Sequence, residues 1–388
     1  MDQFDCVVVG GGMVGATSAL ALAELGLTVA VIEKHQPKAF EPSQPFDLRV
    51  SAISLASQHL LEQMQAWQQI ANWRSCPYKR LGVWEHEQAY TEFSSKEIDQ
   101  PYLGHIVENR LIQLSLWQQL AEHQNITLKC PESLVTLEQS ADAVNLTLSS
   151  EKISTTLLVA ADGANSQVRQ LAGIGVTGWG YSQDAMLINV ETELPQQDIT
   201  WQQFQPTGPV AMLPMKGKYA SLVWYHQKAE LARLVNLNNQ QLQQEINQHF
   251  STKLGNVRVI DKGAFPLTRQ HANQYQQGRV LLLGDAAHTI NPLAGQGVNL
   301  GFKDVKALQT VIAKAIGENR CWHDPAVLAN YEKMRRKDNL MMMTTMDMFY
   351  AAFSNQNPVL KSLRNIGLAT VNKMPILKSK ALAYACGV

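Results

Sequence analysis

Three glycines near the start constrain this chain more than any other feature. Gly10-x-Gly12-x-x-Gly15 follows an apolar run at 6–9 and opens an Ala/Leu-rich stretch at 14–25 that Gly26 closes. A second apolar run at 28–33 ends on Glu33. Strand, helix and strand thus fit within roughly 30 residues. Glycines at these places allow a tight turn, close approach of a pyrophosphate to the backbone, and close packing of helix on strand. The positive end of the helix then faces the phosphates. Glu33 can accept hydrogen bonds from a ribose diol, and its charge would repel a 2′-phosphate. Three glycines alone also make an ordinary turn. The flanking strands and the acid point to a dinucleotide, without choosing between FAD and NAD.

A second constellation favours FAD. The apolar run 280–283 delivers Gly284, Asp285 and His288, and the loop with Asn291, Pro292, Gly295, Gln296 and Gly297 leads into a helix near 296–316. An Asp at a strand end can hold a ribityl hydroxyl. Backbone N–H groups at 295–297 can face the flavin pyrimidine ring and stabilise the negative charge of a reduced flavin. The plainer reading is a strand followed by a capped helix. A third buried strand, 153–161, ends in Asp162-Gly163. No other glycine fingerprint follows a strand, since Gly173-x-Gly175 has the wrong setting, so no separate nicotinamide domain is expected.

The rest of the 388 residues, 45% hydrophobic, supply more than one domain's worth of core. Alternation in 186–190, 200–204, 210–213 and 220–225 predicts an antiparallel sheet with one solvated face. The expected organisation is α/β with α+β insertions: a discontinuous FAD-binding domain at 1–180 and 270–330, a substrate-binding sheet domain at 181–269 with polar helices over 230–250, and a helical region at 331–388. The 34–48 loop, with Pro37, Pro42 and Pro45, is expected to be irregular. Lys+Arg and Asp+Glu are both 33, so overall charge gives no reason to expect nucleic acid as a partner. Cys6, Cys76, Cys130, Cys321 and Cys386 are odd in number and show no Cys-x-x-Cys spacing. No disulfide framework and no metal site is expected, which fits a reducing cytoplasm. The few residues before the first strand leave no room for a signal peptide, and no run of about 18 apolar residues occurs. A peripheral membrane role stays open.

Taken together, these features resemble the class A flavoprotein monooxygenases of the para-hydroxybenzoate hydroxylase type, and within them the ubiquinone-biosynthesis hydroxylases. The resemblance is carried by Gly10–Gly15, by Arg49-Val-Ser-Ala-Ile-Ser54, by Ala161-Asp-Gly-Ala-Asn-Ser166 with Arg169, and by the segment from Gly284 to Gly301. Shorter strings around Asn109, Gln167 to Gly175, Phe265 to Arg269 and Met346 to Phe353 extend it nearly end to end. It implies a Rossmann-like FAD fold with a sheet domain over the flavin, non-covalent FAD, NAD(P)H as a transient cosubstrate, and O2. The implied substrate is a polyprenylated benzoquinol, hydroxylated through a C4a-hydroperoxyflavin.

The resemblance also assigns residues. Arg49 belongs near the FAD pyrophosphate, Arg110 near the flavin, and Asp162 with Gly163 near both FAD and the nicotinamide. Pro292 lies over the oxygen-reactive face, in a flavin-facing loop with Gly295, Gln296 and Gly297 that needs no obligatory acid or base. His288 is implied to pack structurally. Against these stand a surface role for Arg49, a turn role for Asp162 and a helix-surface role for Arg110. Two other activities suit the same fold: an FAD-dependent dehydrogenase or lipid reductase, and a non-catalytic flavin-binding subunit of a biosynthetic complex. Oligomeric state is left open, a homo-oligomer included. Beyond Asp347, the last acid, lie Lys361, Arg364, Lys373, Lys378 and Lys380 among apolar residues, below a run containing Met341, Met342, Met343, Met346 and Met348. Such basic amphipathic helices suit either a membrane surface or packing on the core.

Overall fold

The strand that precedes the glycines, β1 (Asp2–Val9), is the central member of a sheet, and its neighbours explain its composition. It runs parallel to β2 (Val29–Ile32) on one side and to Lys152–Ala160 on the other. Outside these, Ile126–Lys129 is parallel to β2, and Val280–Leu282 is parallel to Lys152–Ala160. Helices cover both faces, so these strands are near-continuous apolar runs. The computed structural model describes residues 2–291, 295, 297–353 and 374–388.

Between β1 and β2, α1 (Met13–Ala23) is buried almost all round. It lies against Asn109–Glu122 and Gly297–Gly317, and its Ala16, Ala19 and Ala23 let those helices come close. The chain turns to opposite sides of the sheet after β1, which makes the carboxyl end of β1 a topological switch point. Gly10, Glu33, Ala161 and Gly284 follow the ends of four parallel strands there.

A second sheet of eight strands holds Val257–Ala272, Val176–Thr192, Tyr219–Gln227, Val210–Pro214 and Ile199–Gln203 in that order. It extends beyond the 181–269 stretch expected for it, because Arg80–Trp84 joins in parallel to Ile199–Gln203 and Thr91–Ser94 completes the edge. Alternation within 181–269 cannot reveal a parallel partner from so far upstream. One face packs Trp84, Met186, Trp201 and Trp224 under Leu231, Leu234, Leu242 and Ile246 of two amphipathic helices. The opposite face, which alternation alone makes the solvated one, looks onto a recess. Its Leu187, Ala211, Leu213 and Val223 line a large cavity between this sheet and the first one.

Pro325–Phe353 buries Leu328, Tyr331 and Arg335 against the first domain. Pro375–Cys386 packs Leu382 and Cys386 on Leu55 and Leu103, and its Lys378 pairs with Glu97 at 2.7 Å. That part of the basic C-terminal region is core. Lys380 is exposed, while Lys361, Arg364 and Lys373 lie outside the described residues. No helix among the described residues is long and apolar enough to cross a membrane.

Candidate functional site

At the head of α1 the backbone demands glycine twice. Gly10 has φ +104°, and a Cβ there would lie 2.4 Å from the Ala161 carbonyl oxygen. A Cβ on Gly15 would lie 1.9 Å from the Gly10 oxygen. Gly12 caps α1 without any side-chain hydrogen bond, and the space its Cβ would occupy is empty. The first-turn N–H groups of a helix have no intrahelical acceptor, so this end is an anion site open to the cavity. Glu33 fixes the turn from the side: its carboxylate accepts from the N–H groups of Gly11 (2.6 Å), Lys34 (2.7 Å) and His35 (3.1 Å). Trp117 Nε1 and Gln113 Nε2 both donate to the Gly11 oxygen, at 2.7 and 2.8 Å.

Opposite, the Val280–Leu282 strand runs into Gly284, whose φ is +57°. A Cβ on Gly301 would come 2.5 Å from Val14, so the helix that follows crosses α1 in close contact. Asp285 is solvent-accessible and faces the cavity, yet protein crowds it. That burial raises its carboxyl above the ordinary range, with His288 and Arg49 pulling it back down. Arg49 lines the same cavity, and among the described residues its guanidinium has no hydrogen-bond or ion-pair partner. It is a cation held ready for an anionic ligand.

Asn299 sets the intervening loop. Its Nδ2 donates to the oxygens of Ala52 (2.8 Å) and Gly295 (3.3 Å), and its Oδ1 accepts from Ser57 Oγ at 2.7 Å. Sequence reasoning gave Asn299 no role; its place one turn after Gly295 is the signal that could have found it. Gly295 (φ +62°) and Gly297 line the cavity; Pro292 and Gln296 lie outside the described residues.

Of the remaining assigned residues, all but Gly163 act from behind this wall. Asp162 Oδ2 caps the short helix Gln167–Leu171 through the N–H groups of Gln167 (2.8 Å) and Val168 (3.1 Å), and its buried Oδ1 has no partner among the described residues. Gly163 reaches the cavity. Arg169 bridges two loops by donating to Ala286 O and Ala164 O. Arg110 is not among the residues lining the cavity. It grips Asp47 (2.9 and 3.2 Å) and the oxygens of Lys38 and Ala39, and so orders the proline-rich loop that carries Arg49. His288 is 1% exposed, with Nε2 2.5 Å from Asp304 Oδ2. Asp304 also accepts from Arg335 Nε (2.8 Å) and Asn339 Nδ2 (3.1 Å). Burial would push the Asp304 carboxyl up, but His288 and Arg335 together hold it down at about 2. His288 is therefore spent on this structural anchor.

The cavity measures about 1370 Å³. Gly12, Arg49, Gly163, Asp285, Gly295 and Gly297 all line it, together with Ser51, Asn109 and Thr289, which lie in the strings that carry the resemblance but to which sequence reasoning gave no site role. Gly10 and Gly15 pack behind it. A pocket for one small ligand occupies roughly 300–1,000 Å³, so a second ligand fits beside a cofactor. The anion site at Gly12, Arg49 with no partner among the described residues, and the cavity-facing Asp285 match a pyrophosphate and a polyol, which is what FAD presents.

The family model for an FAD binding domain matches residues 3–344. The chain is 48% identical over 385 residues to the 3-demethoxyubiquinol 3-hydroxylase of Escherichia coli strain K12, covering 99% of this chain and 98% of that protein. It is 37% identical over 388 residues to the ubiquinone hydroxylase UbiL of Rhodospirillum rubrum, covering 99% and 89%. Among solved structures, p-nitrophenol 4-monooxygenase PnpA from Pseudomonas putida DLL-E4 superposes with a TM-score of 0.81 at 20% identity, over 98% of this chain and 97% of that one. The last likeness speaks to the fold, and the fold agrees.

Proposed function

The chain belongs to the FAD binding domain family and, within it, to the hydroxylases of ubiquinone biosynthesis; from that premise we propose that it hydroxylates the ring of a polyprenylated benzoquinol, using NAD(P)H and O2. One observation carries the reading: an anion-binding wall and an apolar sheet face enclose a single cavity. FAD, when bound, accepts the hydride and activates O2. NAD(P)H, O2, a proton and the quinol then give NAD(P)+, water and the hydroxylated ring. Relatives named as ubiquinone hydroxylases fit this reading better than a dehydrogenase or a non-catalytic subunit.

The residues divide the work. Arg49 and the head of α1 hold the pyrophosphate, Asp285 a ribityl hydroxyl, and Glu33 the adenosine ribose. Gly295 and Gly297, which line the cavity, would face the flavin ring. Asp162 and Arg110 act by fixing the loops around Gly163 and Arg49. Leu187, Leu213, Val223 and Phe265 keep water from the reacting ring. The substrate's own hydroxyl groups activate the ring, so no protein acid or base is required, and His288 stays with Asp304.

Such a substrate resides in lipid, and peripheral contact with the inner face of a membrane belongs to the same reading. Met334, Leu340, Met341 and Met348 are 40–67% exposed on one helix, with exposed Lys333 and Lys337 beside them. The stripe ends at Met348, which also lines the cavity.

Turnover tests the proposal. Loaded with FAD, the protein oxidises NAD(P)H faster when a prenylated benzoquinol lacking one ring hydroxyl is added. A rate indifferent to every such quinol would refute it.

A further inference from the structure

The cavity is longer than a cofactor and a quinol ring need, and its extra length has a direction. On the cavity face of the second sheet, side chains line up across the strands. Phe265 leads to Leu187, then Val223, Ala211 and Leu213, Thr200 and Gln202, Leu81 and Val83, and finally Phe93. From Val257–Ala272 to Thr91–Ser94 this floor crosses six strand spacings, roughly 30 Å. One end lies at the FAD wall, where Phe265 to Thr268 share the cavity with Asp285 and Gly295. The other end lies under the last helix, where Leu382 and Cys386 meet Leu81, Phe93 and Leu103.

The lining changes character along the way. Arg49 and Asp285 supply charge at the FAD end. At the far end the walls are chiefly hydrocarbon, and the Thr200 hydroxyl is already given to the Met212 oxygen at 2.9 Å. Well-packed cores leave no such space, because an unfilled apolar void is destabilising. The alternating strands thus present a long apolar floor next to a site for a polar ring. An occupant that matches both must carry a polar head and a long, thin hydrocarbon chain.

We propose that the arm of the cavity between the 80–94 edge strands and the C-terminal helix is the binding subsite for the isoprenoid tail of the quinol, with Leu81, Val83, Phe93 and Leu382 setting how it is held. This rests on the quinol hydroxylase reading and deepens it. The C-terminal helix is then a wall of the substrate site, and the Lys378–Glu97 pair fastens that wall to the sheet domain. The edge strands, which the sequence places far from the rest of their sheet, carry chain selectivity.

The test compares two quinols with the same ring, one bearing a long polyprenyl chain and one a single prenyl unit. Val83→Trp fills the arm from the floor, and Leu382→Trp fills it from the opposite wall. In FAD-loaded protein, each is expected to lower the ratio of kcat/KM for the long against the short quinol about tenfold or more, the scale on which apolar pockets discriminate. Equal losses on both quinols, or no change in either variant, would overturn the subsite. A separate measurement does not depend on turnover. Wild-type protein should bind a long-chain polyprenyl alcohol in equilibrium partitioning, and both tryptophan variants should bind it about tenfold more weakly. If wild type turns over neither quinol but the alcohol binding shows this loss, the reaction assigned above fails and the chain-binding arm stands. Alcohol binding that is absent in wild type, or indifferent to both substitutions, refutes the arm itself.

Discussion

Asp285 and Asp304 both stand near the carboxyl end of the Val280–Leu282 strand, and their surroundings give them opposite work. Asp304 is fully buried and meets His288, Arg335, Asn339 and the Gly284 N–H, so all its acceptor capacity goes into the protein. Asp285 faces the cavity, and the charges nearest it, His288 and Arg49, favour its ionised form without bonding to it. The first is an anchor and the second is available to a ligand. Replacing Asp285 by Ala removes one charge-assisted hydrogen bond to the cofactor, which costs about 1.5–3 kcal/mol, or about ten- to hundredfold in FAD affinity. Flavin fluorescence titration measures this, with circular dichroism to confirm that the fold survives. An unchanged titration would leave Asp285 as a strand-end acid with no part in binding. The sequence made Asp285 legible because glycine, acid and strand coincide. It could not separate the roles of Arg110, since a guanidinium on the first turn of a helix looks the same whether it reaches a ligand or, as here, Asp47 and two carbonyls.

At the scale of elements, β1, α1 and β2 were readable because their information is local. Apolar runs, glycine spacing and a closing Gly26 all lie within one supersecondary unit. The joining of Arg80–Trp84 to Ile199–Gln203 was not, because it depends on non-local pairing that no local pattern records. The C-terminal helices fall between these cases. Pro375–Cys386 reads as basic and amphipathic, and Lys378 nevertheless turns inward to Glu97 and the Phe93 ring. Among the described residues, Pro325–Phe353 carries four exposed large apolar side chains, Met334, Leu340, Met341 and Met348. If that stripe rests on lipid, Lys333 and Lys337 each add about 1 kcal/mol on an anionic surface. The double substitution Lys333→Glu with Lys337→Glu should weaken cosedimentation with phosphatidylglycerol vesicles by about ten- to hundredfold. Binding that is equal in wild type and variant, or absent from wild type, would contradict peripheral association through this helix.

Across the whole molecule, buried histidines make the fold sensitive to acid before its carboxylates do. Burial lowers His105 to about 4, and burial together with Arg336 and other nearby cations lowers His271 to about 4. Each stays neutral in the folded chain at pH values where the unfolded chain, near 6.5, binds a proton. Their stabilisation is therefore complete above about pH 6.5 and lost as pH falls towards 4, up to about 3 kcal/mol each. Asp304, held at about 2, keeps its charge throughout that window and gives up its contribution only below the ordinary carboxylate range. Melting temperature should accordingly drop between pH 7 and pH 4.5, and His271→Gln should flatten the slope; parallel slopes would show that His271 is not responsible.

The central claim, that one cavity joins an FAD site to a quinol site for oxygen transfer, meets its most direct test in the source of the product's oxygen. Purified protein loaded with FAD is given NAD(P)H, a prenylated benzoquinol and isotopically labelled O2, and the product is weighed by mass spectrometry. The account predicts one labelled oxygen atom in the product ring for each NAD(P)H oxidised in productive turnover. A product whose new oxygen comes from water, or an oxidised quinol with no oxygen added, would contradict it.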